Sequence, residues 1–170
     1  NSEALTAITC STVNSYNGLV PRVGGFEGGT VTWAPTNITY GHNNRSAQFR
    51  LPQNRYCIEN RAADMMMNVY LALAMTLSAA NEGIKNKIDP GKPTDQDLYQ
   101  MTDAEFKKLG IRQLPKNLLQ AIEALKKDKL SDEVLGPVMK KSYLSYKNDE
   151  WERYHQAVTD WEVKEYLRLY

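Results

Sequence analysis

The sequence predicts an α+β fold, and three observations carry the prediction. Composition changes near residue 90: Gly, Asn, Thr and β-branched residues dominate before it, and Lys, Glu, Leu and Ala after it. Short segments in the first part have strand character. Capped amphipathic segments in the second read as helices. The chain of 170 residues is 42% hydrophobic and 24% charged, which suits one domain and excludes disorder and collagen.

Taken in order, Thr30–Ala34 alternates polar and apolar residues and is expected to be a strand, ended or kinked by Pro35. Ser46–Leu51 and Tyr56–Arg61 are two further strands. Pro52, Gln53 and Asn54 between them supply turn chemistry, so the two form a hairpin. Antiparallel strands between residues 30 and 63 thus make part of a curved sheet with helices packed outside it. Val69–Ile84 is apolar almost all round and reads as a buried helix. Pro90, Gly91, Lys92 and Pro93 mark a turn or linker. Thr102 to Glu105 is a capping box, and Gly110 ends the short helix it opens. Asn117–Lys127 is amphipathic through Leu118, Ala121, Ile122 and Leu125. A long helix is expected over Gly136–Val158, with Met139, Tyr143, Trp151, Tyr154 and Val158 on one stripe. Thr159 to Glu162 is a second capping box, opening a last short helix. Residues 1–100 are read as the sheet part with its buried helix, and 101–170 as a helical extension of the same domain.

Lys and Arg number 21 against 20 Asp and Glu, a net charge of +1, so bulk charge points to neither nucleic acid nor a membrane surface. The longest mainly apolar run, Val69 to Ala80, falls short of the roughly 18 residues that span a bilayer. No signal peptide is visible, and a chain starting at Asn1 reads as beginning partway through a longer protein. Cys10 and Cys57 form no CxxC pair and fit buried thiols in a reducing cytoplasm.

Glu59 and Arg61 share a strand face at i, i+2, with Arg50 in the neighbouring strand. A carboxylate and two guanidiniums on one cleft suit a metal–phosphate site. A structural salt bridge across the hairpin accounts for the same residues, and on these residues alone it is the better supported reading. Glu27 sits between two glycine pairs in a loop able to close, where it could act as a base or attract a cation; a hairpin turn with a solvated Glu is the simpler reading. His42 lies in a turn-forming run and His155 in the long helix, and no cluster has zinc spacing. Both are read as structural or solvated. Lys126, Lys127, Lys129, Lys140 and Lys141 read as solvated helix faces, and Met65–Met67 as core filling. The Asn37 and Asn44 glycosylation patterns carry little weight without a signal peptide.

Several strings, each weak alone, occur together in order: T-V-N-S-Y from Thr12, L-V-P from Leu19, N-R-S-A from Asn44, R-L-P from Arg50, I-E-N-R from Ile58, N-V-Y-L-A from Asn68 and G-I-K-N-K-I from Gly83. Nearly end to end, the chain resembles the C-terminal part of the glutamine synthetase catalytic domain. The resemblance makes a functional role for Glu59 the leading reading. It implies an enzyme that uses ATP and Mg²⁺ or Mn²⁺ to join glutamate to ammonia or an organic amine through γ-glutamyl phosphate. It implies that Glu59 is a metal ligand, that Arg61 binds substrate glutamate, and that Arg45 and Arg50 contact the ATP phosphates and the transferred phosphoryl group. Glu27 resembles the flap glutamate that shields the intermediate and helps deprotonate the amine, with Arg45 beside it in catalysis. Tyr99 resembles a tyrosine that some members modify, although it is also a common structural residue. The family's rings imply a homo-oligomer with active sites between subunits, in the cytoplasm.

Three departures cluster at the glutamate and amine side. Gly18 stands where the family's arginine for a glutamate carboxylate is expected, the flap is longer, and Asn43 replaces a second arginine. They resemble the family's γ-glutamyl-amine ligases. Arg22, four residues after Gly18, is expected either to fold back and replace the missing carboxylate contact or to be solvated. Only one recognisable metal ligand lies in this stretch, so the segment alone is expected to be inactive. The alternatives are a non-catalytic binding or structural member of the same fold and, weaker, a phosphagen-kinase-like transferase, for which no cysteine motif is evident.

Overall fold

The computed structural model describes residues 1–19, 34–167 and 169. The strand expected over Thr30–Ala34 lies outside the described residues except for Ala34, and so do Arg22 and Glu27.

The core is built around a helix that the sequence did not announce, α1 (Ser2–Thr9), whose residues from Ala4 to Thr9 are all buried. Two of those residues are threonines. Their hydroxyls donate to the carbonyls four residues back, Thr6 to Ser2 (2.9 Å) and Thr9 to Leu5 (3.1 Å), so burial orphans neither. Cys10 follows as a buried small hydrophobe whose thiol donates to the Ala62 carbonyl; burial pushes that thiol up to about 12. Cys57, by contrast, is exposed, because the turn that carries it stands away from the core. A 3₁₀ turn over Val13–Gly18 is capped reciprocally by Thr12 and Ser15.

Four strands follow: β1 (Asn37–His42), β2 (Ala47–Leu51), β3 (Glu59–Asn60) and, later, β4 (Arg112–Gln113). Their order is β3-β2-β1-β4. β2 and β3 form the expected hairpin, pairing Arg50 with Glu59 and Phe49 with Asn60. β3 is shorter than expected, because Tyr56 and Ile58 point into solvent within a seven-residue connection, 52–58. The expected all-antiparallel arrangement is corrected at β1, which pairs with β2 in parallel. The physical reason is the turn-forming run between them. Asn43 adopts a φ of 54°, and the Asn44 amide donates to the carbonyls of Thr94 (2.6 Å) and Gln96 (2.9 Å). Gly41 has no Cβ to collide with the returning chain, so the strand direction is restored within four residues.

α2 (Val69–Lys85) is capped by the Asn68 side chain, which accepts from the backbone of Tyr70 and Leu71. It is helical as expected but not buried as expected. Ala72 and Met75 are buried against the core, while Val69, Tyr70, Leu73, Leu77 and Ile84 are exposed. One face packs on α1 and on the long α5 (Lys129–Gln156), and nothing among the described residues covers the other. The methionine run is likewise outside the core: Met65 and Met66 are exposed and only Met67 packs inward.

The second half follows the sequence closely. α3 (Asp103–Leu109) has the Thr102–Glu105 capping box and ends at Gly110, with φ of 67°. α4 (Leu118–Lys127) buries the four predicted residues Leu118, Ala121, Ile122 and Leu125. α5 breaks at Gly136 (φ 70°, ψ 165°), with Pro137 restarting it, so its longer arm begins where the sequence places it. Tyr143 and Trp151 of the expected stripe pack on the core, whereas Met139, Tyr154 and Val158 are exposed. Lys140 is buried and not solvated as expected. Its ammonium donates to the Asp128 carbonyl (2.9 Å) and to Asp132 (2.6 Å) across the Gly136 break. α6 (Asp160–Tyr166) carries the second capping box, from Thr159 to Glu162.

Candidate active site

Side chains alternate along a strand, so β2 presents Ala47, Phe49 and Leu51 to one face and Gln48 and Arg50 to the other. Phe49 packs against the hydrophobic core, which leaves Arg50 on the opposite face. The register places Glu59 directly across from Arg50. Arg61 continues that face, its backbone N–H donating to the Gln48 carbonyl at 2.8 Å. The shared face read from the i, i+2 spacing is therefore present.

Arg50 Nη1 donates to Glu59 at 2.9 Å, and Arg55 in the turn donates to the other carboxylate oxygen. The Arg50 hydrogen bond is the main cause that holds the Glu59 carboxyl below its ordinary value of 4.5, with Arg55 adding to it. Arg50 also donates to Asn43 at 3.0 Å. Arg61 Nε donates to the Arg45 carbonyl at 3.0 Å, which ties the residue after β3 to the connection before β2. Burial lowers the Arg61 guanidinium from its ordinary value; Glu59 opposes this, and the Arg45 and Arg50 charges add to it. A guanidinium keeps its proton all the same.

Arg50 and Arg55 thus bracket one acid, Glu59, while Arg61 lies close enough to feel the charges of Glu59, Arg50 and Arg45. That donor set suits an anion: guanidinium forks match carboxylate and phosphoryl oxygens. It does not by itself suit a cation. Among the described residues no group of three His, Cys, Asp or Glu could hold a metal ion, and both Glu59 oxygens are engaged by arginines.

The Arg45 connection is fastened from behind. The Asn44 carboxamide accepts from the Ser46 N–H (2.9 Å) and hydroxyl (2.7 Å) while donating to Thr94 and Gln96. The Ser46 hydroxyl in turn accepts from Leu98 N–H at 3.1 Å. His42 contacts Asp95 at 3.3 Å in the same strap. Tyr99 is half-buried, its hydroxyl donating to the Ala34 carbonyl. Gly18 lies at the end of the 3₁₀ turn, and a Cβ added there would meet nothing within 4 Å. Arg22 and Glu27 lie outside the described residues. Sequence reasoning missed Arg55 and Gln48. Both were findable by arithmetic, Arg55 at four residues before Glu59 and Gln48 at two before Arg50.

No helix among the described residues is long and apolar enough to cross a membrane. Compared with known proteins, the chain matches the family described as glutamine synthetase, catalytic domain, over residues 1–166. It is 43% identical over 170 residues to a glutamate–methylamine ligase of Methyloversatilis universalis, covering 100% of this chain and 37% of that protein. It is 41% identical over 170 residues to a glutamine synthetase of Methanocaldococcus jannaschii, covering 98% of this chain and 36% of that one. Among solved structures, a GmaS–ADP complex superposes with a TM-score of 0.80 at 36% identity, covering 98% of this chain and 36% of that one. The chain therefore spans little more than a third of the length of these relatives.

Proposed function

Since the chain belongs to the glutamine synthetase family, we propose that the whole protein is an ATP-dependent ligase that joins glutamate to ammonia or an organic amine. The γ-phosphoryl group of ATP would pass to a γ-carboxylate oxygen of glutamate, releasing ADP. The amine nitrogen would then attack the acyl carbon, lose a proton to a base and expel phosphate. The observation that carries this reading is the arginine cluster at the β2–β3 face, in which Arg50 and Arg55 hold the single carboxylate of Glu59 and Arg61 sits within range of the Arg45 and Arg50 charges. Transfer between two anions needs charge neutralisation and alignment more than covalent chemistry.

Within that reading Arg45 and Arg50 hold phosphate and phosphoryl oxygens, and Arg61 holds a glutamate carboxylate. Mg²⁺ or Mn²⁺ would supply further charge neutralisation. Glu59 would contribute one oxygen ligand by releasing a guanidinium, and the remaining ligands come from outside the described residues. Glu27 is proposed as the residue that takes the amine proton, and Arg22 as a second carboxylate contact. Modification of Tyr99 would have to break its bond to Ala34, so a structural role for it fits better. The whole protein is proposed to act in the cytoplasm as a homo-oligomer.

One observation favours an organic amine as acceptor. Gly18 leaves open space where the resemblance expects an arginine, and a similar protein is named for methylamine. The test is ADP release by the purified whole protein given ATP, Mg²⁺ and glutamate with either ammonia or methylamine. Release should require glutamate and be faster with methylamine, and Gly18→Arg should shift the preference toward ammonia. Absence of amine-dependent ADP release would favour a non-catalytic member of the fold.

A further inference from the structure

Six buried side-chain polar atoms among the described residues have no hydrogen-bond partner, and three of them sit on the arginine-bearing face: Gln48 Oε1, Gln48 Nε2 and Arg50 Nε. Gln48 is 0% exposed. A wholly buried carboxamide with neither atom paired is unfavourable, and sequences keep such groups where function requires them. Ala47 and Phe49, its neighbours, are apolar, so an apolar residue would be the ordinary choice on grounds of burial.

The register says what Gln48 faces. Extending the Phe49–Asn60 pairing by one residue sets Gln48 directly opposite Arg61, as the 2.8 Å backbone bond between them requires. Directly opposite side chains on one face have Cβ atoms about 4.5–5.5 Å apart. The Arg61 guanidinium is a five-donor fork, and its Nε donates to the Arg45 carbonyl.

We infer that Gln48 is a positioning residue for the glutamate carboxylate, acting through Arg61. When a carboxylate takes the outer fork of Arg61, the guanidinium turns to meet it and Gln48 Oε1 accepts an inward N–H. The fork is then fixed at the angle a bidentate contact needs. The unpaired amide of the free protein is the counterpart of that contact, so its removal should relieve the free state and weaken the bound one. This inference rests on the ligase reading for the identity of the carboxylate.

The test uses the whole protein with Gln48→Met, which keeps the unbranched volume and removes both polar atoms. Thermal unfolding and calorimetric titration with glutamate are measured beside steady-state kinetics. The expected result is an unchanged or raised melting temperature, a dissociation constant and KM for glutamate raised about tenfold, and a KM for ATP within about twofold of the parent. Gln48→Glu should weaken glutamate binding further, because its carboxylate would compete for Arg61. Three results overturn the inference: unchanged glutamate affinity in Gln48→Met, equal losses for glutamate and ATP, or a lowered melting temperature, which would mark a buried water or structural partner for the amide. If the parent binds glutamate without turning it over, the ligase reading fails, and calorimetry still decides the role of Gln48. If the parent does not bind glutamate at all, both fall.

Discussion

Glu59 sits between two guanidiniums, and its titration follows from them. Its pKa is lowered in the folded state, so the ion pairs stabilise the fold above the ordinary value of 4.5 and are lost as pH falls through the lower, folded value. Glu59→Gln should therefore differ from the parent in stability at neutral pH and converge on it in acid, which unfolding curves between neutral pH and about pH 2 would show. In the whole protein the same substitution should lower ligase activity by orders of magnitude and weaken Mg²⁺ or Mn²⁺ binding; an unaltered metal titration would remove Glu59 from the proposed metal site. A second residue-scale case lies in α5. The Lys147 ammonium pairs with Glu150 at 2.8 Å, and Glu150 also accepts from Val13 N–H at 3.0 Å, both side chains being largely buried. Lys147→Met keeps the stem and strands that carboxylate, so chemical denaturation should report a loss of about 1–3 kcal/mol, partly restored by adding Glu150→Gln.

Among the elements, β1 and the 94–98 strap hold the Arg45 connection in place. Gly41 is where they come closest: an added Cβ would overlap the Thr94 carbonyl and lie 2.8 Å from Asn44 Cβ. Gly41→Ala is expected to cost about 1–3 kcal/mol by overpacking. It should also raise the KM for ATP, since the strap carries the Asn44 and Ser46 bonds that set Arg45. A stable, kinetically normal Gly41→Ala protein would show that the strap does not position Arg45. The capped helices behave differently. α3 and α6 close their own first turns through Glu105 and Glu162, so their ends are specified by four residues apiece and need nothing from the rest of the chain.

For the molecule as a whole, the outstanding feature is apolar surface. Tyr70, Leu73 and Leu77, at i, i+3 and i+7 along α2, are 82%, 54% and 67% exposed, an apolar face of the kind that marks contact with other protein. Residues 1–170 produced alone should bind a hydrophobic dye and self-associate. Leu73→Glu with Leu77→Glu should reduce both effects, as read by dye fluorescence and sedimentation. Dye binding equal to that of an ordinary soluble protein would mean that this face closes within the chain.

The sequence determined what depends on neighbours along the chain. Helices α2 to α6 were legible because caps, glycine stops and 3.6-residue periodicity act within a few residues. The Arg50–Glu59–Arg61 face was legible because strand alternation and a short turn fix it. The family resemblance rested on ordered short strings for the same reason. Only the tertiary structure decided the rest. α1 is eight residues long and lacks a side-chain cap, and the elements around it bury even Thr6 and Thr9 of its polar side. β1 pairs in parallel because Asn44 finds carbonyls about fifty residues away. Lys140 is buried because the Gly136 break brings a carbonyl and a carboxylate to its ammonium. The outer face of α2 read as core because an apolar side chain records that it will be covered, and not by what. Gln48 drew no notice as one glutamine in a strand; its meaning lies in the residue across from it, and a register is set by the fold.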